Sequence, residues 1–260
     1  MGLLKNNNCY ALDMDGTVYL GERWIDGALD FLAALKKKEK QYVFLTNNSS
    51  KSVADYQRKL TQMGLEVAAE EIITSGLVTI AYLKREFPGK KVFLLGNEAL
   101  RGEFDEAGIK LSDESPEVVV VAFDTTLDYI KMTKVCDFVR TGLPYISTHP
   151  DTNCPTETGF VPDAGAIHAF IHASAYRYPD HVIGKPNREI IDFMLTHTGA
   201  EREKTVIVGD RLYTDIRAGV DNGLMAVLVL SGEAKMVDVE AATYKPDLIF
   251  SSIKEMVSEI

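Results

Sequence analysis

The segment Leu12-Asp13-Met14-Asp15-Gly16-Thr17 ends a short apolar run with two carboxylates two positions apart. On an extended chain such residues point to one side, so Asp13 and Asp15 face the same way. Gly16 then lets the backbone turn sharply away. Carboxylates at the carboxyl end of a parallel strand stand where open α/β sheets hold their ligands. Two aspartates near an Asp-Gly pair are also ordinary turn residues, so the reading rests on three further strand ends. The run Gln41–Thr46 ends in Thr46 and Asn47, whose hydroxyl and amide can hold phosphoryl oxygens. Gly184-Lys185-Pro186 sets a cation just before a helix start, and Thr205–Val208 leads to Asp210, with Asp215 following at the start of the next helix. Each has a plain alternative: strand end, surface cation, helix cap. Four such endings in one parallel sheet point to a shared site.

Elements that could position these residues alternate along the chain. Strand candidates are Cys9–Met14, Gln41–Thr46, Val92–Leu95, Val118–Phe123, Tyr145–Thr148, Thr205–Val208, Ala226–Leu230 and Asp247–Phe250. Between them, apolar residues recur at helical spacing: Leu29, Leu32, Ala33, Leu35; Val53, Tyr56, Leu60, Met63; Ile190, Ile191, Met194, Leu195. Ser52 and Asp55 have capping-box spacing and Gly64 suits a helix end; Asn187 and Gly199 bracket the third helix in the same way. Continuously apolar strands alternating with helices imply an α/β fold with a mostly parallel sheet covered on both faces. Residues 79–181 hold their own strands and helices but lack the polar strand ends seen at Asp13, Thr46 and Asp210. The expected organisation is a core of 1–78 with 182–260 and an inserted domain of 79–181. The segment from His149 to Asp163, rich in Pro, Thr, Asn and Asp, reads as a long irregular functional loop.

The ordered set D-x-D-G-T, T-N, G-K-P and G-D-x-x-x-x-D resembles the four motifs of the haloacid dehalogenase superfamily of phosphatases. The longer strings D-M-D-G-T-V-Y, L-T-N-N-S-S, T-H-P-D-x-N-C-P, P-D-A-G-A-I and G-D-R-L-Y-T-D are similar to its NagD-like, p-nitrophenyl-phosphatase branch, and the resemblance covers nearly the whole chain. It implies a Rossmann-like core with a large α/β cap inserted between the second and third motifs. It implies Asp13 as the nucleophile that becomes an aspartyl-phosphate, and Asp15 as the acid and then the base. A carboxylate approaching a phosphate dianion meets repulsion of ~4 kcal/mol per charge pair near 4 Å at an effective dielectric of ~20. The resemblance therefore implies a metal held by Asp13, the Asp15 carbonyl and Asp210, an oxygen-only set that suits Mg²⁺. It implies that Lys185 adds positive charge at the phosphoryl group, that Thr46 and Asn47 hold its oxygens, and that Asp215 orients Lys185 or a water on the metal. Arg211 is a candidate substrate contact, with a surface salt bridge as the alternative. The cap loops His149–Pro155 and Asp163–Gly165 are expected to face the core and read the leaving group. Related sequences often carry Asn where this chain has His149.

Other chemistries lack their signatures. A cysteine phosphatase needs Arg six positions after its Cys, but Cys9, Cys136 and Cys154 are followed there by Asp15, Gly142 and Phe160. Neither a G-x-S-x-G elbow nor a G-x-x-x-x-G-K-[ST] loop occurs. His168 and His172 have the i,i+4 spacing of metal ligands but no third ligand nearby, so a structural role is preferred. Two glycosylation sequons at Asn47 and Asn48 fall on the expected phosphate site and are discounted. The 260-residue chain has 28 Lys+Arg against 38 Asp+Glu, a net charge of −10, and no basic stripe, which argues against nucleic acid. Lys36–Lys38 and Lys40 follow a helical pattern and fit its carboxyl end. No secretory signal, myristoylation pattern or membrane-length apolar run is present, and an odd number of dispersed cysteines fits a cytoplasmic protein. The expected partner is a small phosphorylated metabolite; the family alone suggests a homodimer. Two rivals remain on the same machinery: a phosphotransferase or mutase, and a non-catalytic phospho-ligand sensor.

Overall fold

The structure is a computed structural model, and residues 2–156 and 159–260 are described; Glu157 and Thr158, inside the 149–163 segment, lie outside the described residues. It contains two compact units: Met1–Thr46, Gln57–Ile73 and Lys185–Ile260 form the first, and Asn47–Tyr56 with Thr74–Gly184 the second. The fold is α/β, a Rossmann-like parallel sheet with helices on both faces and an inserted α/β cap domain.

Among the described residues, the first unit's sheet runs Leu248–Phe250, Met225–Val229, Thr205–Gly209, Cys9–Leu12, Gln41–Thr46, Ile72–Thr74. The strand Cys9–Leu12 pairs in parallel with both neighbours, Cys9 opposite Thr205 and Gln41. Its four residues are all buried, as a strand covered on both faces requires. The chain leaves this strand in one direction across the sheet and later returns to its other side at Thr205–Gly209. The strand order therefore reverses between them, which is where open α/β sheets bind ligands. The strand stops at Leu12 rather than the expected Met14, so Asp13 and Asp15 both lie beyond it. The Met14 carbonyl there accepts from the amides of Thr17, Val18 and Tyr19, curling the chain into a tight turn.

The local signals for helices hold with one correction. Ser52 N–H donates to Asp55 Oδ2 at 3.0 Å and Asp55 N–H to Ser52 Oγ at 3.0 Å, the expected capping box at the start of Val53–Gln62. Gly199 closes Arg188–Thr198 with φ of 67°. In Ala28–Lys37 the inward face is Ala28, Phe31, Leu32 and Leu35, whereas Leu29 is exposed. Phe31 takes the inner place because its ring meets Tyr10 edge-on, with centroids 5.8 Å apart. In the basic run at the end of this helix, Lys38 reaches the Ile260 carbonyl and Lys40 the carbonyls of Lys5 and Asn7, while Lys36 lies over the Tyr42 ring.

The second unit has its own parallel sheet in the order His181–Val182, Tyr145–Ser147, Val118–Val121, Lys91–Leu95, Lys110–Leu111 among the described residues. The four-valine strand Val118–Val121 is wholly buried at its centre, and Val119 and Val121 pack with Phe93, Leu95, Val135 and Ile167. The 149–163 segment is not irregular throughout, as its composition suggested. Asn153–Thr156 and Gly159–Pro162 form an antiparallel hairpin, Cys154 opposite Val161. Proline weakens a strand signal because it cannot donate to a ladder, yet a two-stranded ribbon has edges that tolerate it. Among the described residues, no helix is long and apolar enough to cross a membrane.

The corrected register of Ala28–Lys37 is testable. Phe31→Ala should cost about 3–5 kcal/mol of unfolding free energy, as buried aromatic truncations do. Leu29→Ala should stay within about 0.5 kcal/mol. Urea denaturation of both variants checks this, and equal losses would contradict the register.

Candidate active site

At the reversal point of the first sheet, Lys185 is 2% exposed, and its ammonium spends three hydrogens on three oxygens. Nζ donates to Asp13 Oδ1 at 2.6 Å, to Asp215 Oδ1 at 2.6 Å and to the Leu45 carbonyl at 2.8 Å. An ammonium has three donors, so these contacts fix its position fully. Asp13 comes from the end of Cys9–Leu12, Leu45 from Gln41–Thr46, and Asp215 from the π-helical turn Leu212–Ile216 that follows Thr205–Gly209. The wider turn is a form found often at functional sites. It brings the Asp215 carboxylate back so that Oδ2 also accepts from Arg211 N–H at 3.2 Å.

Asp210 completes the cluster. One carboxylate oxygen from each of Asp13, Asp210 and Asp215 lies within 4.8 Å of the others. Asp210 Oδ2 accepts from Glu233 N–H at 2.7 Å, while Oδ1 is buried with no hydrogen-bond partner. An anionic oxygen without a partner costs several kcal/mol in a water-poor site, and a metal cation would satisfy it. The donor set is all oxygen and fits a hard divalent ion. Lys185 pairs with two of the three carboxylates, Asp13 and Asp215. Burial pushes the Asp210 carboxyl up to about 7, with the Asp215 charge adding to it. Burial also drives Asp13 well above the usual carboxylate range, against the pull of Lys185. Burial alone would lower the Lys185 ammonium; Asp13 and Asp215 reverse that and hold it above its ordinary value.

Close packing around the cluster demands glycine. A Cβ on Gly232 would lie 1.9 Å from Asp210 Oδ2, one on Gly209 2.2 Å from Asp215 Cγ, and one on Gly16 2.5 Å from Asp210 Oδ2. Gly16 also has φ of +91°, a left-handed conformation. Ser231 Oγ donates to the Gly16 carbonyl at 2.8 Å, tying the turn after the first strand to the loop after Met225–Val229.

The other sequence-derived residues are placed as follows. Asp15 is half-buried, and Tyr19 Oη donates to its Oδ2 at 3.4 Å. Thr46 is buried at the end of its strand. Asn47, the next residue, belongs to the second unit and donates from Nδ2 to Asp151 Oδ1 at 3.0 Å. Arg211 is paired with Glu233, Nε to Oε2 at 3.1 Å. Sequence reading missed the Leu45 carbonyl, Gly232 and the Glu233 amide. Backbone groups leave no residue-type signal, but Ser231-Gly232-Glu233 directly after an apolar strand was a further polar strand end that could have been noticed. His168 and His172 do not converge on one point. His168 sits between Tyr145 Oη at 2.6 Å and Ser147 Oγ at 2.5 Å, and burial pulls it down to about 3, so it is neutral. His172 stacks on Tyr178 with centroids 4.0 Å apart.

Comparison with known proteins identifies the family. Residues 10–110 match the family model of haloacid dehalogenase-like hydrolases, and residues 182–256 match a second HAD-hydrolase-like model. An acid sugar phosphatase of Staphylococcus aureus is 34% identical over 99% of each chain. The crystal structure of a 4-nitrophenylphosphatase from Thermotoga maritima superposes with a TM-score of 0.96 at 43% identity, covering 99% of each chain. A glycerol phosphate phosphatase from Mycobacterium tuberculosis, solved in complex with magnesium, has a TM-score of 0.91 at 26% identity, covering 98% of this chain and 78% of its own. The chain belongs to the haloacid dehalogenase-like hydrolases, as a phosphatase of the NagD-like, p-nitrophenyl-phosphatase branch.

Proposed function

We propose that this protein is a Mg²⁺-dependent phosphomonoesterase that hydrolyses small phosphorylated metabolites, sugar phosphates foremost, through an aspartyl-phosphate on Asp13. The observation that supports it best is the Asp13–Lys185–Asp215 cluster with the partnerless Asp210 oxygen at the point where strand order reverses. The names of its relatives, acid sugar phosphatase and 4-nitrophenylphosphatase, support the substrate class. In this reading residues 79–181 are the cap and 1–78 with 182–260 the catalytic core.

Asp13 attacks phosphorus with a carboxylate oxygen, and the bond from phosphorus to the ester oxygen breaks. Asp15 gives its proton to the departing alkoxide, which leaves as the alcohol. Water then attacks the aspartyl-phosphate and Asp15 takes its proton, releasing inorganic phosphate and restoring the Asp13 carboxylate. Lys185 stabilises the charge on Asp13 and on the phosphoryl oxygens; Asp215 keeps the ammonium in place. Thr46 and Asn47 hold phosphoryl oxygens, and Arg211, restrained by Glu233, stands ready to meet substrate. Asp13, Asp210 and the Asp15 carbonyl would hold Mg²⁺, which when bound supplies the positive charge that lets two anions meet.

Asp13→Asn should remove turnover by at least about 10³-fold while the chain still folds, because Lys185 keeps Asp215 and the Leu45 carbonyl as partners. Phosphate release and thermal melting of the variant check this; near-normal activity would sink the mechanism. Removing the metal with a chelator should abolish the rate, and adding back Mg²⁺ should restore it.

Cation affinity should depend on pH. Asp210 titrates at about 7 in the folded chain, so below that value a proton must leave before the cation binds. Affinity should fall by at least about tenfold per pH unit below 7. The sign for stability follows from the same shift. A carboxyl raised above its unfolded value of ~3.9 gives stability that is full below pH ~4 and lost as the pH rises through about 7. Calorimetric titration with Mg²⁺ between pH 5.5 and 8.5 reads the affinity, and a flat profile would contradict the assignment of Asp210.

A further inference from the structure

Tyr19, wholly buried in the first unit beside Asp15, takes no part in the steps above. The turn after the first strand brings the two residues together. Gly16 N–H donates to the Tyr19 carbonyl at 2.8 Å, Tyr19 N–H donates to the Met14 carbonyl at 3.2 Å, and Asp15 and Tyr19 form a β-bridge. Tyr19 Oη has two acceptors within reach, Asp15 Oδ2 at 3.4 Å and Met14 Sδ at 3.7 Å. A thioether accepts weakly and a carboxylate strongly, so the phenolic hydrogen belongs to Asp15. A buried tyrosine hydroxyl needs such a partner. At 3.4 Å the bond is long, and catalytic hydrogen bonds often tighten only once substrate is bound.

The ring is held from two directions by residues of the same unit. Lys59 Nζ lies over its face, 3.6 Å from the centroid, and Lys59 belongs to the first-unit segment Gln57–Ile73. A cation there is attracted by the negative face of the ring. Its charge also draws electron density from the ring and makes the phenol a stronger donor. Trp24 stands opposite Tyr19 in a short antiparallel hairpin and meets the ring edge-on, with centroids 6.2 Å apart. Trp24 Nε1 in turn donates to the Met63 carbonyl at 2.8 Å, and Met63 N–H donates to the Lys59 carbonyl at 3.0 Å. One helical turn of chain, Lys59 to Met63, thus holds both the ring and its hairpin neighbour.

We infer that Tyr19 is a positioning residue for Asp15, with Lys59 over its ring strengthening the hydroxyl that holds Asp15 Oδ2. The inference rests on the phosphatase reading above and deepens it. With Oδ2 held by the phenol, Oδ1 is the oxygen that carries the travelling proton. It gives that proton to the ester oxygen as the bond to phosphorus breaks, and takes one from the water that attacks the aspartyl-phosphate. Tyr19 keeps its own proton throughout. Asp15 is half-buried, so without this hold its carboxylate can turn toward water. The contact matters most where the leaving oxygen needs a proton. A sugar alkoxide needs one; p-nitrophenolate is a stable anion and leaves without it.

The test uses the full-length protein with Mg²⁺ and the variants Tyr19→Phe, Lys59→Met and Lys59→Arg. Steady-state kinetics are measured on a hexose phosphate and on p-nitrophenyl phosphate, orthophosphate affinity by calorimetry, and folding by thermal melting. Tyr19→Phe keeps the ring and removes the hydroxyl. It should lower kcat/KM about tenfold more on the hexose phosphate than on p-nitrophenyl phosphate, a part of the about 10²–10⁴-fold that general acid–base catalysis supplies. Orthophosphate affinity should stay unchanged, since binding the product needs no proton transfer. Lys59→Met keeps an apolar stem and should shift the ratio of the two esters the same way by less. Lys59→Arg returns a cation that stacks on aromatic faces and should keep the wild-type ratio. Equal losses on both esters, an unchanged ratio in folded Tyr19→Phe, or weakened orthophosphate affinity overturns the inference. Lys59→Arg that matches Lys59→Met overturns the part given to the charge. If Tyr19→Phe does not fold, Lys59→Met carries the same test, and an unchanged ratio there overturns it. Wild-type protein that releases no phosphate from either ester overturns the phosphatase reading instead.

Discussion

A single buried ammonium held between two carboxylates is the constraint on which the first unit's site depends. Lys185 has its three hydrogens on Asp13, Asp215 and the Leu45 carbonyl. Breaking such a buried set by removing one partner typically costs about 3–5 kcal/mol, because the charge left behind has nothing to replace water. The cluster therefore has little freedom to drift. Preorganised charge costs no reorganisation when the transition state forms. Burial raises the Asp210 carboxyl to about 7, with the Asp215 charge adding to it and Arg211 opposing it.

Much of the surrounding sequence follows from keeping those groups close. Gly16, Gly209 and Gly232 sit where any side chain would strike Asp210 or Asp215. Their absent side chains let three separate segments approach the same carboxylates. The Glu233 amide and the Ser231 hydroxyl then stitch those segments together, through Asp210 Oδ2 and the Gly16 carbonyl. Burial of the strand Cys9–Leu12 on both faces supplies the stiff base. A charged cluster raised on flexible loops would relax toward water and lose the field it creates.

The fold was largely legible because parallel strands advertise themselves. Runs such as Val118–Val121 and Gln41–Thr46 are apolar without alternation, and polar residues at their ends stand out sharply. The motif residues were legible for the same reason, since Asp13, Thr46, Lys185 and Asp210 each interrupt an apolar run or open a helix. Short elements were not. The hairpin Asn153–Thr156 with Gly159–Pro162 has prolines in both strands, and the strand His181–Val182 is two residues long. Neither has a period to detect. The inward turn of Phe31 in place of Leu29 depends on the Tyr10 ring, a contact 21 positions away in sequence. Backbone donors and acceptors, the Leu45 carbonyl and the Glu233 amide among them, carry no residue signature at all.

Where the chain passes between its two units bears on how the protein can work. Thr46 and Lys185 are each the terminal residue of a first-unit segment, and Asn47 and Gly184 are the adjoining residues of the second. Lys185 is bound to the core by its side chain, through Asp13 and Asp215, and to the second unit by its preceding peptide. A side chain with three fixed bonds defines the position of its own Cα to within its few rotatable bonds.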